Sequence, residues 1–372
     1  NQVWDQFTGR MAMNWTPNLD FTDQTLFYGS YAHGYKAGGA NPPGAVLLAY
    51  GGGPGEISNP IHPLTFKPEF VDAFELGSKN TLLDGALTLN VSAFYYNYEN
   101  YQISEIVDRT SINLNFDAHV KGAELEATYE PLPGLRFNFA GGYEDARLAK
   151  GSKAVDLIDR GAGTPGWIVL KPFVTQASNC VLPIYVIEEM FIANPYSVSG
   201  ACGVAYNSHL DPVTGAPFDE HAAQSPNGTP VGNYPGFDPS SAPNNGAGFD
   251  KDLSGNRLPN APPLTVSGGA QYTIPLSSDW AGTLRADYYW QDYSWARVIN
   301  DNPYDRLRGY TNVNLTLILT SQNGWQVMLY DKNVFNTTAI TGTFLNSDDS
   351  GLTTNVFLTD PKLIGMRVTK NW

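Results

Sequence analysis

Two cysteines, Cys180 and Cys202, are the side chains of this sequence best suited to react with each other. They lie in one long segment rich in Gly, Pro and Asn, and no His or acidic residue accompanies them at the spacing of a metal site. A disulfide in an oxidising compartment is the plainest interpretation, and it would stabilise the loop by about 3 kcal/mol. A metal-binding or nucleophilic role is the alternative.

Other groups with metal-binding chemistry are incomplete or scattered. The segment Asp250–Gly255 begins like an EF-hand loop, but its twelfth position is Ala261 instead of Glu, so we predict a turn. His209 and His221 share the long segment with several acids, which suits either a bound metal chelate or plain exposure to solvent. The sequence therefore predicts no resident metal and no cofactor.

No pattern of a known catalytic site is present in the sequence. It lacks a nucleophile elbow, a phosphate-binding loop, a zinc-binding helix and paired catalytic carboxylates. The formal net charge is −14, from 22 Lys and Arg against 36 Asp and Glu, which argues against a nucleic-acid partner. We expect a binding or transport protein and no enzyme.

The segments that must position these groups alternate between apolar and polar side chains. Leu125 and Ala127, for example, alternate with Glu124 and Glu126, which is the period of a β-strand with two different faces. Eleven such strands are predicted: Phe7–Pro17, Thr25–Ala37, Val71–Leu83, Ala86–Ser104, Ala118–Pro131, Leu135–Leu148, Pro263–Pro275, Ala281–Ala296, Tyr310–Thr320, Trp325–Phe335 and Lys362–Trp372.

Short and long connections between these strands take turns along the chain. Five tight turns rich in Asn, Asp, Gly and Pro alternate with five long loops, which predicts that all turns lie at one end of the sheet. The long loops are predicted at Gly38–Phe70, Glu105–Asp117, Ala149–Pro262, Arg297–Gly309 and Asn336–Pro361. This segregation is typical of a transmembrane β-barrel. A soluble β-sandwich with inward aliphatic rows is the alternative.

Composition agrees with a barrel wall. Charged residues make up 16% of the chain and the mean hydropathy is −0.26, so uncharged polar residues supply the polarity. Tyr and Trp at segment ends suit the aromatic girdles of such a barrel. These residues are Tyr95, Tyr143, Trp280, Tyr288, Trp290 and Trp325.

Five segments resemble TonB-dependent outer-membrane receptors, in the order of that family. They are the Gly-Tyr-Lys-x-Gly-Gly loop start within Thr25–Asn41, the Pro-Glu…Glu-x-Gly-x-Lys strand in Phe66–Lys79, the Ala-Phe-Tyr strand Leu87–Tyr98, the strand entry Asp252–Pro262, and Asp331–Asn336, which is similar to a Lys-Asn-Leu-Phe-Asn box. Each motif alone is weak, but five in family order are strong.

The end of the chain resembles the C-terminal assembly signal of outer-membrane barrels. Ile364, Met366 and Val368 share their parity with the terminal Trp372. Phe is the usual last residue in that signal, so Trp372 is a variant of it. The resemblance implies recognition by the barrel-assembly machinery.

The resemblance also implies segments that this sequence lacks. Family members carry an N-terminal plug domain with a TonB-contacting box and a barrel of twenty-two strands, whereas neither plug nor box is visible here. We therefore expect residues 1–372 to form the C-terminal part of the barrel, resembling its second half, with a long extracellular loop at about 149–262. An isolated half-barrel would expose two unpaired edges to lipid.

By this resemblance, the protein imports a scarce nutrient across the outer membrane of a Gram-negative bacterium with energy supplied through TonB. The nutrient would be a ferric siderophore, another metal chelate, cobalamin or an oligosaccharide. Implied partners are outer-membrane lipid and lipopolysaccharide, the remaining barrel half and plug, and TonB through that plug. A passive porin or a structural barrel component without energy coupling is the alternative.

Two sets of residues are candidates for contacts inside such a receptor. Aromatic faces among adaptable polar neighbours suit a chelate or sugar. The ligand candidates in the loops are Tyr50, Trp167, Tyr185, Tyr196, Tyr206, Tyr234, Tyr304 and Phe344. The charged candidates for the barrel lumen are Glu75, Lys79, Glu124, Glu126, Arg136, Arg285, Asp287 and Arg367. They would face the plug or the substrate path, or only hydrate the lumen.

Overall fold

The structure, a computed structural model, describes residues 3–41, 63–107, 110–170, 180–193, 243–246, 248–301, 303–346 and 352–372. Strands dominate the described residues, with one α-helix, α1 (Ile184–Ala193), and a 3-10 turn at Pro243–Gly246. No helix among the described residues has the length and apolar character needed to cross a membrane. The strands are β1 (Gly9–Trp15), β2 (Gln24–Lys36), β3 (Gly39–Ala40), β4 (Thr65–Phe66), β5 (Glu69–Leu82), β6 (Leu87–Val107), β7 (Thr110–Leu132), β8 (Leu135–Leu148), β9 (Lys153–Val155), β10 (Trp167–Leu170), β11 (Cys180–Pro183), β12 (Asp250–Asp252), β13 (Leu264–Pro275), β14 (Trp280–Gln291), β15 (Ser294–Trp295), β16 (Arg306–Leu307), β17 (Tyr310–Ser321), β18 (Trp325–Lys332), β19 (Ile340–Leu345), β20 (Thr354–Leu358) and β21 (Leu363–Lys370).

Eleven of these strands form one antiparallel sheet in the order β1-β2-β5-β6-β7-β8-β13-β14-β17-β18-β21. Each long strand pairs with the long strands before and after it along the chain, so the sheet is an up-and-down meander. The eleven predicted strands are thus confirmed. At the two ends of the order, β1 and β21 each have a single neighbour within the described sheet.

The largest difference from the sequence prediction is the loop expected at residues 105–117. β6 and β7 continue as a paired hairpin to Val107 and Thr110, so most of that predicted loop is strand. β6 and β7 have 21 and 23 residues, whereas the strands on either side of them, β5 and β8, have 14 each. The β6–β7 hairpin therefore extends well beyond the height of its neighbours in the sheet.

Tight turns close the opposite end of the sheet. In the β5–β6 turn, Leu83, Asp84 and Gly85 all have positive φ, and the carboxylate of Asp23 accepts a hydrogen bond from the Gly85 amide at 2.9 Å. Gly134, with a φ of 84°, turns β7 into β8 where an added Cβ would collide with the Thr273 carbonyl. Glycine is required there because a side chain has no room and the left-handed backbone disfavours it.

Register divides the sheet into two faces, which we call the apolar face and the polar face. Leu125, for example, pairs with Val91 on one face, while Glu126 pairs with Asn90 on the other. The apolar face carries exposed side chains along the whole sheet: Phe74, Leu76, Val91, Leu125, Phe137, Phe139, Leu284, Leu315, Leu329, Ile364 and Met366.

Buried apolar side chains concentrate at the long-connection end. The cluster there joins the upper part of the β6–β8 region with residues of the long connections: Phe116, Ala118, Val120, Ala146, Leu148, Ala154, Leu253, Leu258 and Val298. We call this end the crown. It comprises Tyr101–Phe116 and the described residues of 149–262, 297–309 and 336–361, and we call the remaining sheet the wall.

Candidate ligand-binding crown

A β-bulge begins the crown. Opposite Ala118 and Phe116 on β7 stand Tyr98 and Tyr101 on β6, so the β6 strand carries one extra residue. Asn100 takes a positive φ of 57° there, and its amide donates to the carboxylate of Asp117 at 2.9 Å. An extra residue moves every following side chain to the other face of the sheet.

The bulge therefore turns the apolar residues of upper β6 to the polar-face side of the sheet, where those of β7 already lie by their unbroken alternation. Ile103 pairs with Leu114 and Tyr101 pairs with Phe116, on the side that carries Glu124 and Glu126 lower down. Phe116 is buried in the crown core, and Tyr101, Ile103 and Leu114 pack against that core. One face is thus polar in the wall and apolar in the crown.

A cavity of about 220 Å³ lies within this apolar part of the crown. Four separate parts of the chain line it: the upper β6–β7 hairpin, the β9 region, residues 296–299 and the β19 strand. Its walls are mainly Ile103, Ile106, Leu114, Phe116, Leu157, Val298, Ile299 and Phe344, with Ser104, Ser111, Arg297 and Thr343 at polar positions. Because an apolar cavity of about 150 Å³ holds a benzene molecule, this one has room for one aromatic group of a larger ligand.

Side-chain amides hold two of the cavity-lining segments together. Asn256 donates from Nδ2 to the carbonyls of Val298 and Ile299, at 2.9 and 3.0 Å. In return, Asn300 accepts from the Arg257 amide at 2.7 Å and donates to the Arg257 carbonyl at 3.0 Å. The loop after β14 is therefore fixed against the segment before β13, although about forty residues separate them in the sequence.

Beneath the cavity lies a buried group of charges. The carboxylate of Asp156, fully buried, accepts hydrogen bonds from Lys251 Nζ and Arg297 Nη1, each at 2.9 Å. Arg297 also donates from Nε to Asp305 at 2.6 Å. The two connections 149–262 and 297–309 thus meet in one ionic network, and such buried pairs depend on every partner being present.

The pKa values in this network follow from burial and charge together. Burial raises the pKa of Asp156, but the charge of Arg297 and the hydrogen bonds from Lys251 and Arg297 outweigh it, so this pKa lies below its usual range. Burial raises the pKa of Asp305, and Arg297 offsets that only in part. Burial lowers the pKa of Lys251, but its contacts with Asp156 and Asp159 raise the pKa by more, so it lies above its usual range. Asp156 is therefore ionised at neutral pH.

The eight charged residues predicted for the lumen all lie on one face. Residues that pair directly across neighbouring strands lie on the same face, so the pairing can be followed from Glu75 and Lys79 on β5 to Arg367 on β21. Examples of such pairs are Lys79–Asn90, Glu126–Ala140 and Arg285–Thr316. The full set on this face is Glu75, Lys79, Glu124, Glu126, Arg136, Arg285, Asp287 and Arg367. Whether they face a plug or a substrate path stays a prediction.

Arg285 organises the polar face in the second half of the sheet. It donates to Asp287 from Nε at 2.9 Å, to Gln271 from Nη1 at 2.9 Å and to Asn138 from Nη2 at 3.1 Å. Gly269 lies beneath this group, where an added Cβ would stand 2.8 Å from Arg285 Nη2 and 2.9 Å from the Asp287 carboxylate. The glycine leaves the space that the four polar side chains fill.

A second polar group lies on the same face of β2 and β5. Tyr28 donates its hydroxyl hydrogen to Glu75 at 2.5 Å, and the ammonium of Lys79 lies 5.9 Å from the Tyr28 ring centre. Glu124 and Glu126 complete a small hollow beside these residues. Acids outnumber bases in this hollow, whereas the Arg285 group contains both signs of charge.

The structure brings one of the predicted ligand aromatics to the cavity. Phe344 lines it, whereas Tyr304 is 70% exposed, Tyr185 lies exposed on α1, and Trp167 packs edge-on against Phe249 with ring centres 5.2 Å apart. Tyr50, Tyr196, Tyr206 and Tyr234 lie outside the described residues. As ligand contacts, all eight stay predictions.

The sequence prediction missed the aliphatic lining of the cavity. Ile103 ends a predicted strand, and Leu114 and Ile299 lie in predicted loops, whereas the ligand prediction rests on aromatic side chains. A usable signal existed in the alternation of Ile112, Leu114 and Phe116 with Asn113 and Asn115, which continues the period of two through the predicted loop.

The predicted disulfide, assembly signal and metal sites lie partly outside the described residues or on the exposed end of the sheet. Cys180 begins β11, while Cys202 lies outside the described residues, so the disulfide stays a prediction. Ile364, Met366, Val368 and Trp372 are all exposed at the end of the sheet, and the assembly signal likewise stays a prediction. Among the described residues, no cluster of His, Cys, Asp and Glu has the composition of a metal site.

Comparison with solved structures supports the fold. The ferric yersiniabactin uptake receptor FyuA from Yersinia pestis matches with a TM-score of 0.55 and 14% identity, over 98% of this chain and 37% of its own. The siderophore receptor PiuA from Acinetobacter baumannii matches with 0.51 and 15%, over 97% and 35%. The ferric preacinetobactin receptor BauA from Acinetobacter baumannii gives 0.50 and 14%, also over 97% and 35%.

At these identities the likeness establishes the fold alone, and the chain spans little more than a third of each of these three receptors. No curated protein sequence matches the chain. The family model described as "TonB dependent receptor-like, beta-barrel" matches residues 1–174, which contain the first six strands of the sheet and three of the five predicted motifs. Residues 1–174 are therefore similar to the TonB-dependent receptor-like β-barrel family, and the rest of the chain continues the same eleven-stranded sheet.

Proposed function

We propose that this chain forms the C-terminal part of the barrel of an outer-membrane receptor that imports a scarce nutrient with energy supplied through TonB. The wall would cross the outer membrane, with its apolar face in lipid and its polar face toward a plug. The crown would lie outside the cell and capture the ligand. A ferric siderophore or another metal chelate is the ligand class we favour, because the proteins of similar fold are named as receptors for such chelates.

The observation that carries this proposal is the cavity in the crown. Four otherwise separate connections converge on it, and Ile103, Leu114 and Phe116 line it from the side of the sheet that bears the polar face. A passive pore would leave that end of the barrel clear. Ligand pockets of this kind pair an apolar lining with a few placed polar groups.

The two free sheet edges support a larger barrel. β1 and β21 are the ends of the strand order in the described sheet. Unpaired backbone amides and carbonyls are costly in lipid, so each edge requires a neighbouring strand. We propose that further strands of a barrel of about twenty-two pair with both edges.

The test uses the whole receptor in intact cells with radioactive iron supplied as its citrate, catecholate and hydroxamate chelates. We expect cells to bind one of these chelates, and to accumulate it only while the proton gradient is intact. A protonophore should then abolish accumulation and leave binding unchanged. Accumulation that survives the protonophore would instead indicate a passive porin.

Cavity variants sharpen the same test. Phe344→Ala enlarges the cavity and Phe344→Trp fills it, so both should weaken binding of the chelate, while Phe191→Ala, at an exposed position of α1 outside the predicted ligand set, serves as the control. Because Phe344→Trp keeps the apolar packing, a loss of binding in that variant cannot be assigned to an unfolded crown. Unchanged binding in both Phe344 variants would remove the cavity from the ligand site.

A further inference from the structure

The crown cavity is too small to hold a whole metal chelate. Its volume is about 220 Å³, whereas pockets that enclose a drug-sized ligand measure roughly 300 to 1,000 Å³. A chelate surrounds its ion with several donor groups and their linkers, so it exceeds this volume. Scaled from the cavity of about 150 Å³ that holds benzene, the space accommodates about six to eight carbon atoms. The cavity therefore receives only one part of a ligand.

The charges around the cavity indicate that this part of the ligand is uncharged. Among the described residues that line it, Arg297 and Glu105 carry charge. The Arg297 guanidinium already donates to the carboxylates of Asp156 and Asp305, so it has no excess positive charge for an incoming anion. Glu105 likewise has an interaction partner of its own. A charged group that entered the cavity would therefore lose its hydration without gaining an unpaired counter-charge, which is costly.

The lining of the cavity has a buried apolar side and an exposed polar side. Phe116 and Leu157 line it and are buried. Ser104 and Ser111, on the upper β6–β7 hairpin, also line it and are exposed, so they mark the side toward solvent. A ligand that places hydrocarbon against Phe116 and Leu157 can therefore keep its polar part at the two serines, in contact with water.

We propose that the cavity binds an uncharged hydrocarbon tail of the ligand, while the metal-chelating head stays outside at Ser104 and Ser111. The ligand class is then an amphiphilic chelate whose tail has about six to eight carbon atoms. Burial of the tail strengthens binding by about fourfold for each methylene that enters the cavity. The inference rests on the proposed function, because it assigns the chemistry of the imported ligand.

The test measures binding of a chain-length series to the whole receptor held in lipid nanodiscs. The probes are radioactive ferric complexes of one linear trihydroxamate whose terminal amine is acylated with straight chains of increasing length, from butanoyl to dodecanoyl. Equilibrium dialysis against empty nanodiscs corrects for partition into lipid. We expect the corrected affinity to rise about fourfold per methylene up to about eight carbons and then to stop rising, because a longer chain no longer fits.

Variants of the lining should move the longest chain that fits. Leu157→Ala removes carbon atoms from the buried side of the cavity, so it should raise the length limit by about two to three carbons, and Phe344→Trp should lower it. Leu253→Ala is the matched control, because Leu253 is a buried crown leucine that does not line the cavity in the described part of the chain. It should leave the length limit unchanged, even where a loss of crown stability weakens the binding of every probe.

The proposal is overturned if no probe binds the receptor beyond empty nanodiscs, if affinity is independent of chain length, or if it rises through dodecanoyl as partition into lipid does. It is equally overturned if an octanoyl chain that ends in a carboxylate binds as tightly as the plain octanoyl chain, or if Leu253→Ala shifts the limit as Leu157→Ala does. Accumulation that survives the protonophore would remove energised import and keep the tail assignment. A missing length limit beside intact uptake would remove the tail assignment alone.

Discussion

The wall and the crown place their apolar side chains in opposite ways. Leu284, in the wall, is 61% exposed, whereas Leu253, in the crown, is 1% exposed. The buried apolar cluster of the protein lies in the crown and at the top of the hairpins below it. The crown is thus built like a water-soluble protein, and the wall like one whose apolar solvent is lipid.

Charges follow the same division. In the wall, Arg285 and Asp287 pair on a half-exposed face that can exchange partners with water or a neighbouring domain. In the crown, Asp156 and Asp305 are buried and their cations hold separate connections together. Loss of one charged partner should therefore lower the free energy of unfolding strongly in the crown and only slightly in the wall.

Removal of Asp156 should have the largest effect. Asp156→Ala leaves Lys251 and Arg297 without their shared buried carboxylate, so we expect a loss of about 3 to 5 kcal/mol in crown stability. Hydrogen exchange by mass spectrometry should show faster exchange in β9, β12 and β15 and unchanged exchange in β13 and β14.

The matched control is Asp159→Ala. Asp159 lies 3.2 Å from Lys251 but is about half exposed, so its loss should cost less than about 1 kcal/mol. Equal exchange rates in the two variants would contradict the division between buried and exposed charges.

Truncation of a leucine should have the second-largest effect, and its cost in stability should be higher in the crown than in the wall. Leu253→Ala opens a cavity in the crown core and should cost about 2 to 5 kcal/mol. Leu284→Ala leaves no cavity, because lipid fills the space, so it should lose only the transfer free energy of the removed carbons, about 2 kcal/mol or less. Both are measured by hydrogen exchange in lipid nanodiscs, and similar costs at the two positions would show that the wall also packs as a closed core.

An arginine in the middle of β14 should distinguish the two faces of the wall. Leu284→Arg places a charge in lipid and should cost about 2 to 4 kcal/mol in urea unfolding from liposomes. Thr283→Arg, one residue earlier and on the polar face, should cost far less. A comparable loss for Thr283→Arg would mean that the polar face is not hydrated.

Acid should lower the stability of the crown at a higher pH than that of the wall, and this should be the smallest of the four predicted effects. The pKa of Asp156 is lowered on folding, so its contribution is present above about pH 4 and is lost as the pH falls through the folded-state pKa. Asp305, with a raised pKa, offsets part of that loss because it binds its proton more readily when folded. Hydrogen exchange corrected for intrinsic rates should show crown strands opening below pH 4, and Asp156→Asn should flatten that dependence.

Local patterns in the sequence predicted the wall well. Alternation and turn residues placed the strands, and parity alone put Glu75 and Arg367 on the same face eight strands apart. Such features depend on neighbours within a few residues, so a single sequence contains them.

The crown could not be predicted in the same way. The bulge at Asn100 reverses the parity of the upper part of β6 and leaves that of β7 unchanged, although nothing in the alternation of β6 announces it. Asp156 and Arg297 form their pair across 141 positions of the chain, so no local pattern joins them. The aromatic set contained Phe344, which lines the cavity, but could not separate it from Tyr304, which does not, because the cavity forms where distant loops meet.

The orientation of wall and crown is the central claim, and cysteine labelling in intact cells tests it most directly. Tyr304→Cys in the crown and Ser278→Cys in the β13–β14 turn would each be made in the whole receptor with Cys180 and Cys202 replaced by Ser. A maleimide that cannot cross membranes should label Tyr304→Cys in intact cells and label Ser278→Cys only after the outer membrane is permeabilised. Labelling of Ser278→Cys in intact cells, or protection of Tyr304→Cys, would contradict the account.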